Sequence, residues 1–333
     1  MKDLNSLSPK LWVGVDVGGT KVAALVARDG QEIARKVNPT RLDTPEDTLI
    51  GIADTIREAV SVAQADLADV AAIGLGIPGR VDPVHGTAQL AVNLNWRNMA
   101  AGPALEEVLG VPCFLENDVR MAALGLKYHP LFAHVKNLAY ISIGTGIAAG
   151  LILNGELYRG INGMAGEIGH IEVAPNGSRC QCGAVGCLET VASGPAIEIM
   201  SVKAQARQVG AQNGNSEIHQ PYSAGQIFQM AANGEPIAKE IVAQVGKYLG
   251  WATKLLVLTY DVQFVIFGGG VARAGAAFLD PILQDVKRQR QESDLAREML
   301  KSEMIQLLPS DFDAPLWGGI ALAEKGLMRM DLL

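Results

Sequence analysis

The run LWVGVDVGGTKVAALVA, residues 11–27, sets two short apolar stretches on either side of Gly18-Gly19, and LAYISIGTGIAAGLIL, residues 138–153, repeats that arrangement around Gly144-Thr145-Gly146. Each reads as strand, glycine turn, strand. Residues 11–15, 22–27 and 32–37 predict three strands separated by Gly18-Gly19 and Asp29-Gly30, so the chain opens on an antiparallel meander. The second run ends on its own turn, Asn154-Gly155. The chain therefore reads as two related α/β halves, with the hinge placed near Leu115.

Between the two runs, Thr44 offers an N-cap ahead of Pro45 and Asp47. Leu49, Ile52, Ala53, Ile56, Ala59, Val60 and Ala63 follow at helical spacing and lead into a strand at 70–75. A further short strand, 111–115, runs into Glu116-Asn117-Asp118, which opens a helix towards Leu126. Helices at 195–208, 224–232 and 236–259 come next, then a strand at 262–267, Gly268-Gly269-Gly270, and further helices to the end. Residues 209–221 are polar and glycine-bearing and read as a mobile loop.

Composition removes several function classes. With 333 residues, 49% hydrophobic and 19% charged, the chain can bury a large core in two domains or one large one. A net charge of -7 supplies no basic field for nucleic-acid phosphates or anionic lipid, so small-molecule partners are expected and neither nucleic acid nor membrane is. The first nine residues lack the apolar core of a signal peptide, and no apolar run is long enough to span a bilayer. A cytoplasmic location is the expectation. In that reducing setting Cys113 stands alone, whereas Cys180, Cys182 and Cys187 crowd into one glycine-rich loop and favour metal over disulfide.

The chemistry starts at the glycine turns. In Asp16-Val17-Gly18-Gly19-Thr20-Lys21 the turn amides can approach phosphate oxygens, Thr20 and Lys21 add donors, and Asp16 can hold a magnesium ion through water. Gly144, Thr145 and Gly146 offer the same from the other half. Either turn alone would be an ordinary hairpin. Gly74-Leu75-Gly76-Ile77-Pro78-Gly79 fits the dinucleotide fingerprint, but Pro78 and Arg80-Val81-Asp82-Pro83 do not open a helix, and no Walker A sequence is present.

His170, Cys180, Cys182 and Cys187 form a His-x9-Cys-x-Cys-x4-Cys set, with Gly177, Gly183 and Gly186 letting the loop wrap one ion. Three thiolates and an imidazole saturate tetrahedral zinc and leave no open position, so the site is expected to be structural. Glu167 and Glu189 flank the ligands. Carboxylates pinned there can grip adjacent sugar hydroxyls. Asp118, at a helix start, has two readings: an N-cap, or a base kept ionised by the helix dipole.

In these residues the chain resembles the ROK sugar kinases, a family that also contains sugar-responsive repressors. The motifs run in order from Asp16 to about Gly319: DVGGTK at 16–21, GIPG at 76–79, END at 116–118, GTG at 144–146, EIGH at 167–170 and CQCGAVGCLE at 180–189. The resemblance implies an α/β, two-lobed, actin-like ATPase (ribonuclease H-like) fold with a cleft. The small lobe would be 1–115 with a returning C-terminal helix at 315–333, and the large lobe 116–314 with the zinc loop. It implies an ATP-dependent hexose kinase, glucose being the first choice ahead of N-acetylmannosamine, N-acetylglucosamine, mannose or fructose, with structural zinc, magnesium and ATP as co-substrate.

The resemblance also implies roles: Asp118 as catalytic base; Gly79, Asn93, Asn117, Glu167, His170 and Glu189 as sugar contacts; and Gly268, Gly269 and Gly270 against the adenosine. Homodimer and homotetramer are both left open as the assembly. A sugar-sensing regulator is the rival reading, disfavoured because only ten residues precede the first strand, too few for a helix-turn-helix. One departure stands out: Ala148 and Ala149 follow the Gly-Thr-Gly turn where many relatives carry glycines, which bears on the shape of that loop.

Overall fold

In the computed structural model, which describes residues 10–211 and 220–330, the opening meander forms as read. β1 (Leu11–Val17), β2 (Lys21–Arg28) and β3 (Gln31–Pro39) pair antiparallel, with Val17 opposite Val22 closing the first turn. Thr44 caps α1 (Pro45–Val62), its hydroxyl accepting from the Asp47 amide at 3.0 Å. Ile52, Ile56, Ala59 and Val60 bury one face of that helix in the same core as β1 and β2.

β4 (Val70–Ile77) lies parallel to β1, and all eight of its residues are buried. A strand covered on both faces loses the polar alternation of a half-exposed one. Here α1 packs into one core, and the C-terminal helix Ala314–Met330 meets β1 and β4 through glycines. A Cβ on Gly14 would overlap the Leu316 carbonyl, and one on Gly74 the Gly319 carbonyl. The C-terminal helix can approach the strands this closely only because those side chains are absent.

After β4 the chain forms a small antiparallel sheet that the sequence pattern did not reveal: β5 (Arg80–Asp82), β6 (Thr87–Ala91) and β7 (Trp96–Met99). α2 (Ala101–Leu109) ends on left-handed Gly110 and returns the chain to β8 (Cys113–Asn117), parallel to β4. α3 (Asp118–Gly125) follows. The first sheet thus has the order β3-β2-β1-β4-β8.

The first compact unit comprises Met1–Val135, Leu157–Met164 and Asp311–Leu333. The Leu115 hinge read from the sequence falls inside it, at the entry to α3. That helix belongs with the first unit because it packs on the C-terminal helix: a Cβ on Gly125 would overlap the Ala314 carbonyl, and one on Gly318 the Met121 carbonyl.

The second unit, Lys136–Glu156 with Ala165–Ser310, repeats the plan. β9 (Leu138–Ile143) and β10 (Ile147–Leu153) make the antiparallel pair that corresponds to β1 and β2. With β11 (Glu156–Tyr158), β12 (Phe264–Gly268) and β13 (Ile305–Leu307), the sheet order is β11-β10-β9-β12-β13. β12 runs parallel to β9 and β13 parallel to β12, as β4 and β8 do in the first unit. Two sheets of one strand order, meander first and parallel strands after, make this the actin-like ATPase fold.

Among the described residues, six α-helices serve the second unit: α4 (Glu189–Ala192), α5 (Gly194–Ala211), α6 (Ala224–Ala232), α7 (Pro236–Tyr260), α8 (Ala276–Glu292) and α9 (Asp294–Met299). Phe278 of α8 stacks edge-on to Phe228 and Phe267, with ring centroids 5.7 and 5.6 Å apart, near the centre of the core. Two expectations change here. Residues 209–211, read as loop, continue α5, while 212–219 lie outside the described residues. β13 appears where only helices were expected, because three residues are too short to show a period.

Candidate active site

In the first unit, parallel strands deliver the acidic residues to one place. Asp16 sits opposite Gly76 in the β1–β4 pairing, and Gly76 and Ile77 sit opposite Glu116 and Asn117 in the β4–β8 pairing. A Cβ on Gly76 would lie 3.3 Å from the Asp118 Cα and overlap the Met121 side chain, so the missing side chain lets the start of α3 settle over the strand ends. The Asp118 carboxylate is close enough to perturb Asp16. Burial, then the Asp118 carboxylate, then that of Asp313 push the Asp16 carboxyl from its ordinary 3.8 up to about 7, while Lys21 opposes them.

The two readings of Asp118 separate at this helix start. Asn117, not Asp118, is the N-cap: its Oδ1 accepts from the Arg120 amide at 3.1 Å, and Asp118 is the first helical residue. The Asn117 Nδ2 donates to the Gly79 carbonyl and to the Asp118 Oδ1, both at 3.0 Å. The Val119 amide donates to that same Oδ1 at 2.9 Å. Both polar atoms of the Asn117 side chain are therefore engaged within the protein, and they orient Asp118. Gly79 has φ +93°, and a Cβ there would overlap the Leu90 carbonyl, which accounts for the glycine on backbone grounds alone.

Beneath this pair lies an ionic cluster that the sequence did not disclose. Glu116 is fully buried; its Oε1 accepts from the Asn117 amide and from Arg120 Nε, each at 2.9 Å, and its Oε2 accepts from Arg159 Nε. Arg120 follows Glu116 by four positions, across the junction of β8 and α3, near enough in sequence that it could be considered as a partner. Arg159 comes from 43 residues away and could not. Asp313 was also missed; it joins through its pull on Asp16 and is itself held by Arg35 at 2.7 Å.

The Gly18-Gly19 turn is closed by the Gly18 amide on the Lys21 carbonyl at 2.9 Å and pinned by the Thr40 hydroxyl on the Gly18 carbonyl at 2.6 Å. Gly19 packs on Asn93: a Cβ would stand 3.3 Å from the Asn93 Cβ. Asn93 thus lies against the glycine turn, beside a segment to which the sequence pattern did not connect it.

In the second unit, the Gly144-Thr145-Gly146 turn has its own bracing. The Gly144 amide bonds the Gly146 carbonyl at 3.0 Å, the Gly194 amide bonds the Gly144 carbonyl at 2.9 Å, and the Ile147 amide bonds Glu189 Oε2 at 3.1 Å. Ala148 and Ala149, the departure noted from the family pattern, lie in β10 opposite Ser142 and Ile141, so they leave the turn itself intact. Of the three glycines at 268–270, two are explained by internal packing. A Cβ on Gly268 would overlap Tyr140, and one on Gly269, at φ +85°, the Ile143 carbonyl; Gly270 alone faces open space.

The four expected metal ligands do converge. Their ligand atoms lie within 4.8 Å of one another, with Cys182 Sγ to Cys187 Sγ at 3.7 Å and Cys180 Sγ to His170 Nδ1 at 3.6 Å. Tetrahedral zinc bonded at its usual lengths requires S···S edges of about 3.8 Å and S···N edges of about 3.6 Å. The residues fit the ion. Neighbouring amide and thiol hydrogen bonds lower the Cys182 thiol, whereas burial and the adjacent thiols push Cys187 up to about 12, so ionising Cys187 calls for a cation beside it. Coordination through Nδ1 leaves the other nitrogen of exposed His170 as a donor, so its expected metal and sugar roles are compatible. Glu167 is half-buried at the head of the 3-10 turn Ile168–His170. Among the described residues no helix is long and apolar enough to cross a membrane.

Comparison with known proteins bears on this arrangement. The ROK family model matches residues 12–325. A glucokinase of Halalkalibacterium halodurans is 34% identical over 282 residues, covering 84% of this chain and 86% of that protein. A putative xylose repressor of a Caldicellulosiruptor species is 29% identical, covering 84% of this chain and 70% of the repressor. Among solved structures, a glucokinase from Streptomyces griseus in complex with glucose and AMPPNP superposes with a TM-score of 0.72 at 31% identity, covering 95% of this chain and 100% of that one.

Proposed function

The chain belongs to the ROK family, and from that premise we propose that it is an ATP-dependent hexose kinase whose preferred acceptor is glucose. The observation that carries the reading is the division of labour at Asn117 and Asp118. Asn117 supplies the cap, so capping does not account for the Asp118 carboxylate beside Asp16. Asp118 is assigned as the base that takes the proton from the attacking sugar hydroxyl. Asn117, through its donor to Asp118 Oδ1, holds that carboxylate in one orientation.

Asp16 suits a divalent cation: its carboxyl is pushed up by burial and by two further carboxylates, a field that positive charge relieves. Magnesium bound there would neutralise charge on the phosphate oxygens. Gly18, Gly19, Thr20 and Lys21 in the first unit, and Gly144, Thr145 and Gly146 in the second, are assigned to the nucleotide phosphates, with Gly270 the glycine of its trio left for the nucleoside. Gly79 and Asn93 in the first unit, and Glu167, His170 and Glu189 in the second, are assigned to the sugar. The zinc set is assigned a structural role, since four protein ligands would fill the tetrahedral positions of the ion.

Release of ADP measured across glucose, mannose, fructose, N-acetylglucosamine and N-acetylmannosamine tests the proposal. The expected result is release with several hexoses and the highest kcat/KM for glucose. Another sugar in first place would overturn the glucose assignment. Sugar binding with no ADP release from any hexose would favour the regulator reading that the repressor relative represents.

A further inference from the structure

We infer that Glu189 is a positioning residue for the Gly144–Ile147 turn, and that through it the metal loop sets the affinity for nucleotide as well as for sugar. The inference rests on the proposed reading of that turn as a phosphate site. The chain leaves the last thiol ligand, Cys187, and within seven residues makes two hydrogen bonds to the two ends of the turn. Glu189 Oε2 accepts from the Ile147 amide at 3.1 Å, and the Gly194 amide donates to the Gly144 carbonyl at 2.9 Å.

The segment between those bonds is firmly seated. Cys187, Leu188 and Ala192 are fully buried, Leu188 donates its amide to the Ile171 carbonyl at 2.9 Å, and Cys187 forms a bridge with Glu172. Both glycines at the contact are tight. A Cβ on Gly146 would lie 2.5 Å from Glu189 Oε2, and one on Gly194 3.1 Å from the Gly144 carbonyl. The turn and the metal-loop flank are therefore in close contact at both ends. With Cys187 anchored by an ion, Glu189 holds the Ile147 amide and fixes the direction of the turn's remaining donors. Without the anchor the carboxylate loses its fixed root and the turn loses a charge-assisted hydrogen bond. The bond to the Ile147 amide uses only Oε2, so in the proposed reading Oε1 accepts from a sugar hydroxyl and Glu189 joins the turn to the sugar subsite of this unit.

Two readouts test this on the full-length, zinc-loaded protein: MgADP affinity by calorimetry without sugar, and amide exchange of peptides spanning residues 143–149. Glu189→Ala is expected to weaken MgADP binding roughly tenfold and to speed exchange at Ile147. Glu189→Gln, whose amide oxygen can still accept, should keep most of the protection and of the MgADP affinity while raising the sugar KM. Depleting zinc with a chelator should shift exchange and MgADP affinity in the direction of Glu189→Ala. Unchanged exchange and affinity in Glu189→Ala, or in the zinc-depleted protein, would overturn the inference. Exchange that responds as expected in a wild-type protein that binds no MgADP would leave the clasp standing and refute the phosphate reading of the turn.

Discussion

Asp16 gives the most direct physical test. Its carboxyl is pushed from 3.8 to about 7 in the folded protein, first by burial and then by Asp118 and Asp313. In the unfolded chain it releases its proton near the ordinary value. Between those two pH values the folded state holds a proton that the unfolded state has lost, so stability falls as pH rises. A shift of about 3 units at 1.36 kcal/mol each sets a ceiling of about 4 kcal/mol, present in full near pH 3 and lost by about pH 8. Asp16→Asn removes the titration and keeps the shape. The variant should match the wild type at acid pH and exceed it by up to that ceiling at pH 8.

Urea denaturation followed by tryptophan fluorescence suits the measurement, because Trp12, Trp96 and Trp317 all lie in the first unit and only Trp251 in the second. The quantity to plot is the variant-minus-wild-type stability between pH 4 and 8, without added magnesium. It should rise with pH and level off above about 7. Magnesium added at pH 8 should stabilise the wild type and leave the variant unmoved, since the cation favours the ionised carboxylate. Parallel wild-type and variant curves would refute the account of Asp16.

Asp118→Asn should lose roughly 10²–10⁴-fold in turnover without a fall in melting temperature, because the cap belongs to Asn117 and the lost charge relieves Asp16; near-normal turnover would remove Asp118 as base. Cys182→Ser should reduce zinc below one ion per chain and raise the sugar KM through the loosened Glu167 and Glu189, with metal analysis and sugar titration as the measurements. Retained sugar affinity in the metal-free variant would break that link. Gly318→Ala drives a methyl group into the Met121 carbonyl and should cost about 1–3 kcal/mol in thermal or urea unfolding, with little effect on sugar specificity.

What the sequence discloses about the fold follows the range over which each signal acts. The meander was legible because β-branched runs, Gly18-Gly19 and Asp29-Gly30 are local, and its recurrence at 138–153 exposed the duplication. The cap of α1 at Thr44 was legible for the same reason. The small sheet β5 to β7 was not, because strands of three to five residues show no usable period. The membership of α3 in the first unit rests on Gly125 and Gly318, whose meaning appears only when two helices meet across nearly two hundred positions of sequence.

At the candidate site the same limit decides more than the fold did. The metal set could be read from spacing because its three thiols fall within eight positions, and its ligand atoms lie within 4.8 Å of one another, with two of the separations, 3.6 and 3.7 Å, at tetrahedral edge length. The status of Asp118 could not. An acid beside an asparagine at a helix start satisfies the cap from either residue, and only the 3.1 Å bond from the Arg120 amide to Asn117 assigns it. The same side chain donates to the Gly79 carbonyl and to Asp118 Oδ1, so the asparagine also orients its neighbour. Arg159 extends the argument: with Arg120 it pairs a carboxylate that has no solvent access beneath the helix start, and the Glu116 Oε1 in turn accepts from the Asn117 backbone amide. Replacing Arg159 would leave Glu116 half-compensated by Arg120 alone, and the effect should reach Asp118 through Asn117 rather than through the substrate.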